Sequence, residues 1–199
     1  MQRGHVELLL PAVQQVLSAP GLKLAALDAI ATTVGPGSFT GLRTGLAAAQ
    51  GLAYGAGKPL VGIDRYTALA ASLDNPRGMP LVIAFDSKAR SLYVQAFGPD
   101  LTPLADWPAE GRNLTAEEAT GAVTGLDAML AGDGVPGLLE AGLAATDTGV
   151  RTITAPMVAA AAANELAQGR TGWPPHPLYL APPRAKLPKD GGRLRARAG

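Results

Sequence analysis

The 199-residue chain is 47% hydrophobic and 17% charged, which is the composition of a folded globular protein and excludes a disordered one. Its net charge of +1 provides no overall field that would single out nucleic acid or membrane, and the lack of cysteine excludes disulfides, thiolate zinc sites and thiol catalysis. The length suits one large domain or two small lobes. The first residues, Met1-Gln2-Arg3-Gly4-His5, read without an apolar signal region, and no apolar run reaches membrane-spanning length, so a cytoplasmic protein is expected.

Val6, Leu9, Leu10, Val13, Val16 and Leu17 recur at helical spacing, and Ala19-Pro20-Gly21 ends the run. Asp28 to Val34 reads as a buried strand. A glycine-rich turn follows, then a nearly uncharged helix from Leu42 to Tyr54 that stops near Gly55 and Gly57. Pro59 to Ile63 is a second strand and Arg65 to Leu73 a second short helix. Strand, turn, helix and strand make a right-handed parallel unit. The clearest break is Asp74-Asn75-Pro76-Arg77-Gly78. Beyond it Leu81 to Phe85 and Leu92 to Phe97 read as antiparallel neighbours joined by a turn over Ser87 to Arg90. Thr115-Ala116-Glu117-Glu118 is a capping box. Ala128 to Ala131 is a strand running into Gly132-Asp133-Gly134. Pro156 opens a last helix that reaches Gln168, and Trp173 to Pro177 is extended.

The candidate chemistry narrows quickly. The two histidines, His5 and His176, are far apart and not set among carboxylates, so a metal site is not expected. Ser38 lies on a strand-to-helix turn without the spacing of a nucleophile elbow, and its alternative role is a helix N-cap. A Walker loop needs a lysine after its last glycine, where Leu42 follows Gly41; the dinucleotide spacing is also missed by Gly35, Gly37 and Gly41. Arg43 in the first helical turn opposes the helix dipole, so it either meets an anion or points into water. Gly41, Gly45 and Ala48 or Ala49 form a small-residue stripe, with Gly51 close to it. Each glycine inside a soluble helix costs about 1 kcal/mol relative to alanine, so a close-packed partner is expected. That partner is either the first helix of this chain or helices of another subunit.

Arg3-Gly4-His5, Leu9-Leu10-Pro11, Leu27 to Ile30, Gly35-Pro36-Gly37-Ser38-Phe39-Thr40-Gly41-Leu42-Arg43-Thr44-Gly45 and Gly51-Leu52-Ala53 together resemble the TsaB (YeaZ) family. The resemblance continues through Pro59 to Ile63, Phe85-Asp86 with Tyr93, Gly132-Asp133-Gly134 and Pro177-Leu178-Tyr179-Leu180. It implies an α/β, two-lobed actin-like (ribonuclease H-like) fold. It also implies a non-catalytic scaffold subunit of the machinery that forms N6-threonylcarbamoyladenosine at position 37 of tRNAs. The implied partners are the TsaD paralogue in a heterodimer, a TsaE-like ATPase, and tRNA met through the complex, with a homodimer in isolation as a further option. In TsaD a strand like Pro59 to Ile63 precedes two metal-binding histidines, and the matching positions are Arg65 and Leu69, so no metal centre is expected. No cofactor is required by this reading. ATP or ADP would use Asp86, Gly132 and Gly134, unless Asp86 only starts a turn. The rival class is a stand-alone actin-like ATPase, sugar kinase or glycoprotease.

The resemblance places a first lobe at residues 1–78, with the helix of 156–180 returning to it, and a second lobe at 79–155. Residues 181–199 form a basic tail. The tail's six basic residues (Arg184, Lys186, Lys189, Arg193, Arg195 and Arg197) against Asp190 give it +5 and leave the body at −4. It is either a solvated tail or an arm for RNA phosphates. Family members begin with three strands before the Arg-Gly-His stretch, so the sequence is expected to be incomplete at its N-terminus. The partner face is expected at Leu9, Val13, Leu42, Gly45, Ala49 and Leu52.

Overall fold

The computed structural model of the protein describes residues 5–75 and 78–181. The basic segment 182–199, and Pro76 and Arg77 of the internal break, lie outside the described residues. The chain opens with α1 (His5–Ser18), in which Leu9, Val13 and Leu17 are half-buried while Leu8, Leu10 and Val16 are exposed. A short 3-10 turn at Leu24–Ala26 leads to β1 (Ile30–Gly35). Next come α2 (Phe39–Ala56), β2 (Leu60–Asp64) and α3 (Arg65–Ala70). Strands β1 and β2 are parallel, with Ile30 opposite Leu60 and Thr33 opposite Ile63, and α2 is their crossover. Helix α2 ends at Gly57, whose φ of 63° gives the left-handed C-cap that favours glycine.

The second sheet contains β3 (Leu81–Asp86), β4 (Leu92–Phe97), β5 (Arg112–Leu114), β6 (Met129–Ala131) and β7 (Thr146–Asp147). Their order is β5-β4-β3-β6-β7. The first three strands form an antiparallel meander, and β6 and β7 add in parallel. Helices α4 (Ala116–Ala122) and α5 (Val135–Glu140) lie between strands in sequence, and α6 (Ala155–Ala167) follows β7. The units β1-α2-β2 and β6-α5-β7 therefore repeat one construction, a parallel pair joined by a helix, in two sheets. This is the two-lobed actin-like architecture.

Strand alternation sorts the core into layers. Val82 and Ala84 of β3 face a cluster with Ala119 of α4 and Val135 and Leu138 of α5. Leu81, Ile83 and Phe85 face the opposite way, onto Tyr66, Leu69 and Ala70 of α3. Val61 and Ile63 of β2 pack on Ala68 of α3 and on Ala161 and Ala162 of α6. Helix α3 thus presents one side to each sheet, which fixes the sheets relative to each other. Each fully buried aliphatic or aromatic side chain in these layers contributes about 1.5–3 kcal/mol. The capping box is present in full, with Thr115 Oγ1 accepting from Glu118 N at 3.2 Å and Glu118 Oε2 accepting from Thr115 N at 2.8 Å.

Three short elements have no clear signal in the sequence: β5, α5 and β7. Helix α5 reads Val-Pro-Gly-Leu-Leu-Glu, with a proline and a glycine in six residues, and it forms because Val135 and Leu138 are fully buried. The last helix begins at Ala155, one residue before Pro156.

Candidate functional site at the glycine turn and the sheet junction

The turn after β1 is built by close approaches. At Gly35 (φ 128°) a Cβ would stand 2.8 Å from Leu178 O and 3.3 Å from Leu42 Cδ1, so no side chain fits there. The Gly35–Pro36 peptide is cis. Gly37 lies against Leu42, and Ser38 Oγ accepts from Gly41 N at 3.2 Å, which makes Ser38 the N-cap of α2. A Cβ at Gly41 would come within 2.6 Å of that same Oγ. Thr40 is exposed and plays no part in the cap.

Helix α2 has three distinct faces at 100° per residue. Leu42, Leu46, Ala49 and Ala53 form the buried face. Phe39, Arg43 and Gln50 form a second, which is tied to the segment 174–180. The Phe39 ring stacks on Tyr179 with centroids 4.9 Å apart. The Arg43 guanidinium lies 4.0 Å over Phe39, and its Nε donates to the Tyr179 hydroxyl at 3.0 Å. Gln50 Nε2 donates to Pro175 O at 3.1 Å. Leu178 N completes the tie by donating to Val34 O at 2.7 Å. The third face carries Gly45, Ala48, Leu52 and Gly55. A Cβ at Gly45, Gly51 or Gly55 would meet nothing within 4 Å. Beside these faces, the Tyr54 side chain is 92% exposed.

These positions correct two of the expected partner contacts. Leu42 and Ala49 are only 8% and 7% exposed, because they fill the space between α2 and its own sheet. Both point into the core and leave the third face to Gly45 and Leu52. Leu9 and Val13 of α1 are half-buried. Among the described residues nothing stands within 4 Å of a Cβ at Gly45, Gly51 or Gly55, so no described part of the first helix packs closely on them. Arg43 is held by Phe39 and Tyr179 and makes no ion pair among the described residues. Tyr179 was legible only as one residue of the Pro177 to Leu180 match, and its pairing with Phe39 spans 140 positions that no spacing argument reaches.

The junction of the two sheets centres on Arg65. Its Nη1 donates to Pro36 O at 3.0 Å, and its guanidinium lies 3.9 Å over the Phe85 ring. One side chain therefore links the glycine turn to the end of β3. Burial lowers its pKa, and the Asp133 carboxylate opposes that shift. The position four residues on, Leu69, is fully buried. Asp86, Gly132 and Gly134 are brought together here. Asp86 starts a turn: its Oδ1 accepts from Lys88 N at 2.6 Å and its Oδ2 from Lys88 Nζ at 2.8 Å. The lysine contact holds the Asp86 carboxyl below its ordinary range. Asp133 Oδ1 accepts from Asp86 N at 3.0 Å. Gly132 (φ 103°) runs so close to β3 that a Cβ would overlap Ala84 O, and Gly134 N donates to Ala84 O at 2.9 Å.

A cavity of about 310 Å3 opens beside β2, lined by Gly62, Asp64, Thr67, Glu165, Arg170 and Trp173 among others. Asp64 is 3% exposed and caps α3 by accepting from Thr67 N at 2.8 Å. Burial pushes its carboxyl pKa up from 3.8. Arg170 and Glu165 form a two-bond ion pair at the rim. The Gly172–Trp173 backbone pairs with Gly62 as a short third member beside β2. Among the described residues no group of three or more His, Cys, Asp or Glu side chains could hold a metal ion, and no helix is long and apolar enough to cross a membrane.

Comparison with known proteins follows the same lines. The chain is 41% identical over 93 residues to the tRNA threonylcarbamoyladenosine biosynthesis protein TsaB of Haemophilus influenzae, covering 46% of this chain and 39% of that one. It is 38% identical over 92 residues to the Escherichia coli protein of the same description, covering 46% and 40%. It is 33% identical over 147 residues to the tRNA N6-adenosine threonylcarbamoyltransferase of Sorangium cellulosum, covering 68% and 40%. The chain thus spans about 40% of the length of these relatives. A crystal structure from Pseudomonas aeruginosa, of an uncharacterized protein with similarity to peptidase YeaZ, superposes with a TM-score of 0.73 at 24% identity. That superposition covers 90% of this chain and 85% of the other and shows the shared fold. The family model described as TsaD, tRNA N6-adenosine threonylcarbamoyltransferase, matches residues 1–103. With more than half of its length matched, the chain belongs to this family, on its TsaB/YeaZ side.

Proposed function

We propose that the protein acts in tRNA threonylcarbamoyladenosine biosynthesis as a non-catalytic scaffold that supports a TsaD-type catalytic subunit through a helical face. The observation that carries this reading is the open side of α2, the third face with Gly51 beside it, where a Cβ at Gly45, Gly51 or Gly55 meets nothing within 4 Å. Glycines inside a helix cost about 1 kcal/mol each and are retained where another backbone must come close. Exposed Leu8, Leu10 and Val16 of α1 add apolar area suited to the same role. The contact set is therefore Gly45 and Leu52 of α2 with Leu9 and Val13 of α1. A TsaE-like ATPase is the third member, and no cofactor is required on this chain. The lobes are residues 1–78 with 156–180, and 79–155.

Arg65 and Leu69 support the non-catalytic role, since a guanidinium held by Pro36 and Phe85 and a buried leucine supply no metal ligand. Reconstitution tests the proposal. The chain is added to TsaD-type and TsaE-type proteins, threonylcarbamoyl-adenylate and tRNA, and modification of adenosine 37 is expected only when it is present. ATP hydrolysis by the isolated chain that is lost in Asp86→Ala would instead establish the stand-alone enzyme.

A further inference from the structure

We propose that the cavity beside β2 is a binding site for a small organic cation, an ammonium or guanidinium group on a short apolar chain, held by Asp64 and Trp173. At about 310 Å3 it lies at the lower end of ligand-site volumes, about twice the size of a cavity that admits benzene. Asp64 is the buried charge in its wall. Among the described residues Asp64 makes no ion pair. Its donors are neutral: Thr67 N at 2.8 Å, with further hydrogen bonds from the Thr67 and Trp173 side chains. The adjacent cation, Arg65, is engaged by Pro36 O and the Phe85 ring. Burial pushes the Asp64 carboxyl pKa up, because these bonds offset the desolvation only in part. An entering N–H cation supplies the counter-charge that a buried carboxylate needs.

The rest of the lining selects for sign and shape. Glu165 and Arg170 bond each other through two contacts, at 2.8 and 2.7 Å, and cancel in charge. Asp64 therefore leaves the lining formally negative. Ile63, Trp173 and Pro174 supply apolar wall for a carbon chain, and an indole ring attracts a cation to its π face. Among the described residues no group of three or more His, Cys, Asp or Glu side chains could hold a metal ion, so the lining suits an organic cation. The wall is also formed in advance. Gly62 N donates to Thr171 O at 3.2 Å, and Trp173 N donates to Gly62 O at 2.8 Å. A Cβ at Gly172 (φ 67°) would overlap Gly62 O, so this approach depends on glycine. These contacts hold Trp173 beside Asp64 before a ligand arrives, which lowers the ordering cost of binding. No lining residue belongs to α1 or α2, so the site is independent of the proposed subunit face.

The test is titration of the full chain, carrying isotope-labelled tryptophan, with n-butylammonium chloride at constant ionic strength, followed by NMR. Trp107 and Trp173 are the only tryptophans, and Trp173→Phe assigns their two indole N–H signals. A saturable shift of the Trp173 signal is expected with the amine, and none with n-butanol or sodium chloride. Asp64→Asn keeps the N-cap acceptor and should bind the amine about 10- to 100-fold more weakly. Arg170→Gln frees Glu165 and should bind it about 2- to 5-fold more tightly, a change that loss of folding would not produce. The lack of a saturable shift, an equal shift with n-butanol, or unchanged affinity in Asp64→Asn overturns the proposal. So does weaker binding by Arg170→Gln, or saturable binding of acetate in place of the amine.

Discussion

Replacing Gly45 and Gly51 separates the two consequences of an open helix face. In the isolated chain a Cβ at either position meets nothing within 4 Å, so alanine adds no clash. It also restricts the unfolded chain, and each exchange stabilises an exposed helix interior by about 0.5–1 kcal/mol. The double variant Gly45→Ala with Gly51→Ala should therefore gain about 1–2 kcal/mol. For a chain of this size that corresponds to a rise in Tm of roughly 2–8 °C. In a complex the sign reverses, because a helix packed closely on Gly45 has no room for a side chain. Gly45→Arg should weaken that contact by about 1–3 kcal/mol, or roughly 5–150-fold in Kd. Differential scanning fluorimetry reads the first effect, and titration calorimetry against a TsaD-type subunit reads the second. A lower Tm for the alanine pair would show that the face is already filled within the chain. A stabilised chain whose Gly45→Arg form still binds normally would refute the interface.

Asp64→Asn keeps an N-cap acceptor for Thr67 N while removing a buried charge. The carboxyl's native pKa is raised above 3.8, so it binds its proton more tightly when folded, and its contribution to stability is present below 3.8 and lost as pH rises through the native value. Denaturant melts of Asp64→Asn should show a stability advantage that grows above pH 4, whereas Asp64→Ala loses the cap and about 1 kcal/mol. At Gly62 a Cβ would stand 2.9 Å from Val34 Cγ1 and overlap the Trp173 carbonyl, so Gly62→Ala should push Trp173 off β2. A cost of about 1–3 kcal/mol and a changed Trp173 emission are expected. Arg43→Ala removes a cation–π contact of about 0.5–1 kcal/mol together with the Tyr179 bond. Limited trypsin digestion should then cut faster at Arg170, while the overall Tm changes little.

Particular residues show where the sequence was sufficient. Period and turn chemistry located α2, β1, β2, β3, β4 and the Thr115 capping box, because those signals are local. Ser38 reads as a cap from its place before a helix, and in the structure its hydroxyl accepts from Gly41 N. The β5, α5 and β7 segments were not legible, since their geometry is imposed by neighbours rather than by their own composition. The same limit governs the site. The small-residue stripe was visible in the sequence, but only the tertiary structure separates Leu42 and Ala49, which fill the core, from Gly45 and Leu52 on the free face. The sequence offered Arg43 an anion or water, and the fold supplied Phe39 and Tyr179. The family resemblance puts Arg65 where a metal-binding histidine would stand, and the fold makes it the bridge from Pro36 to Phe85. Local periodicity and turn chemistry determined the longer helices and strands, and neighbours imposed the short ones. Which side of each helix is occupied depended on contacts between residues far apart in the chain, and only the folded structure decides those.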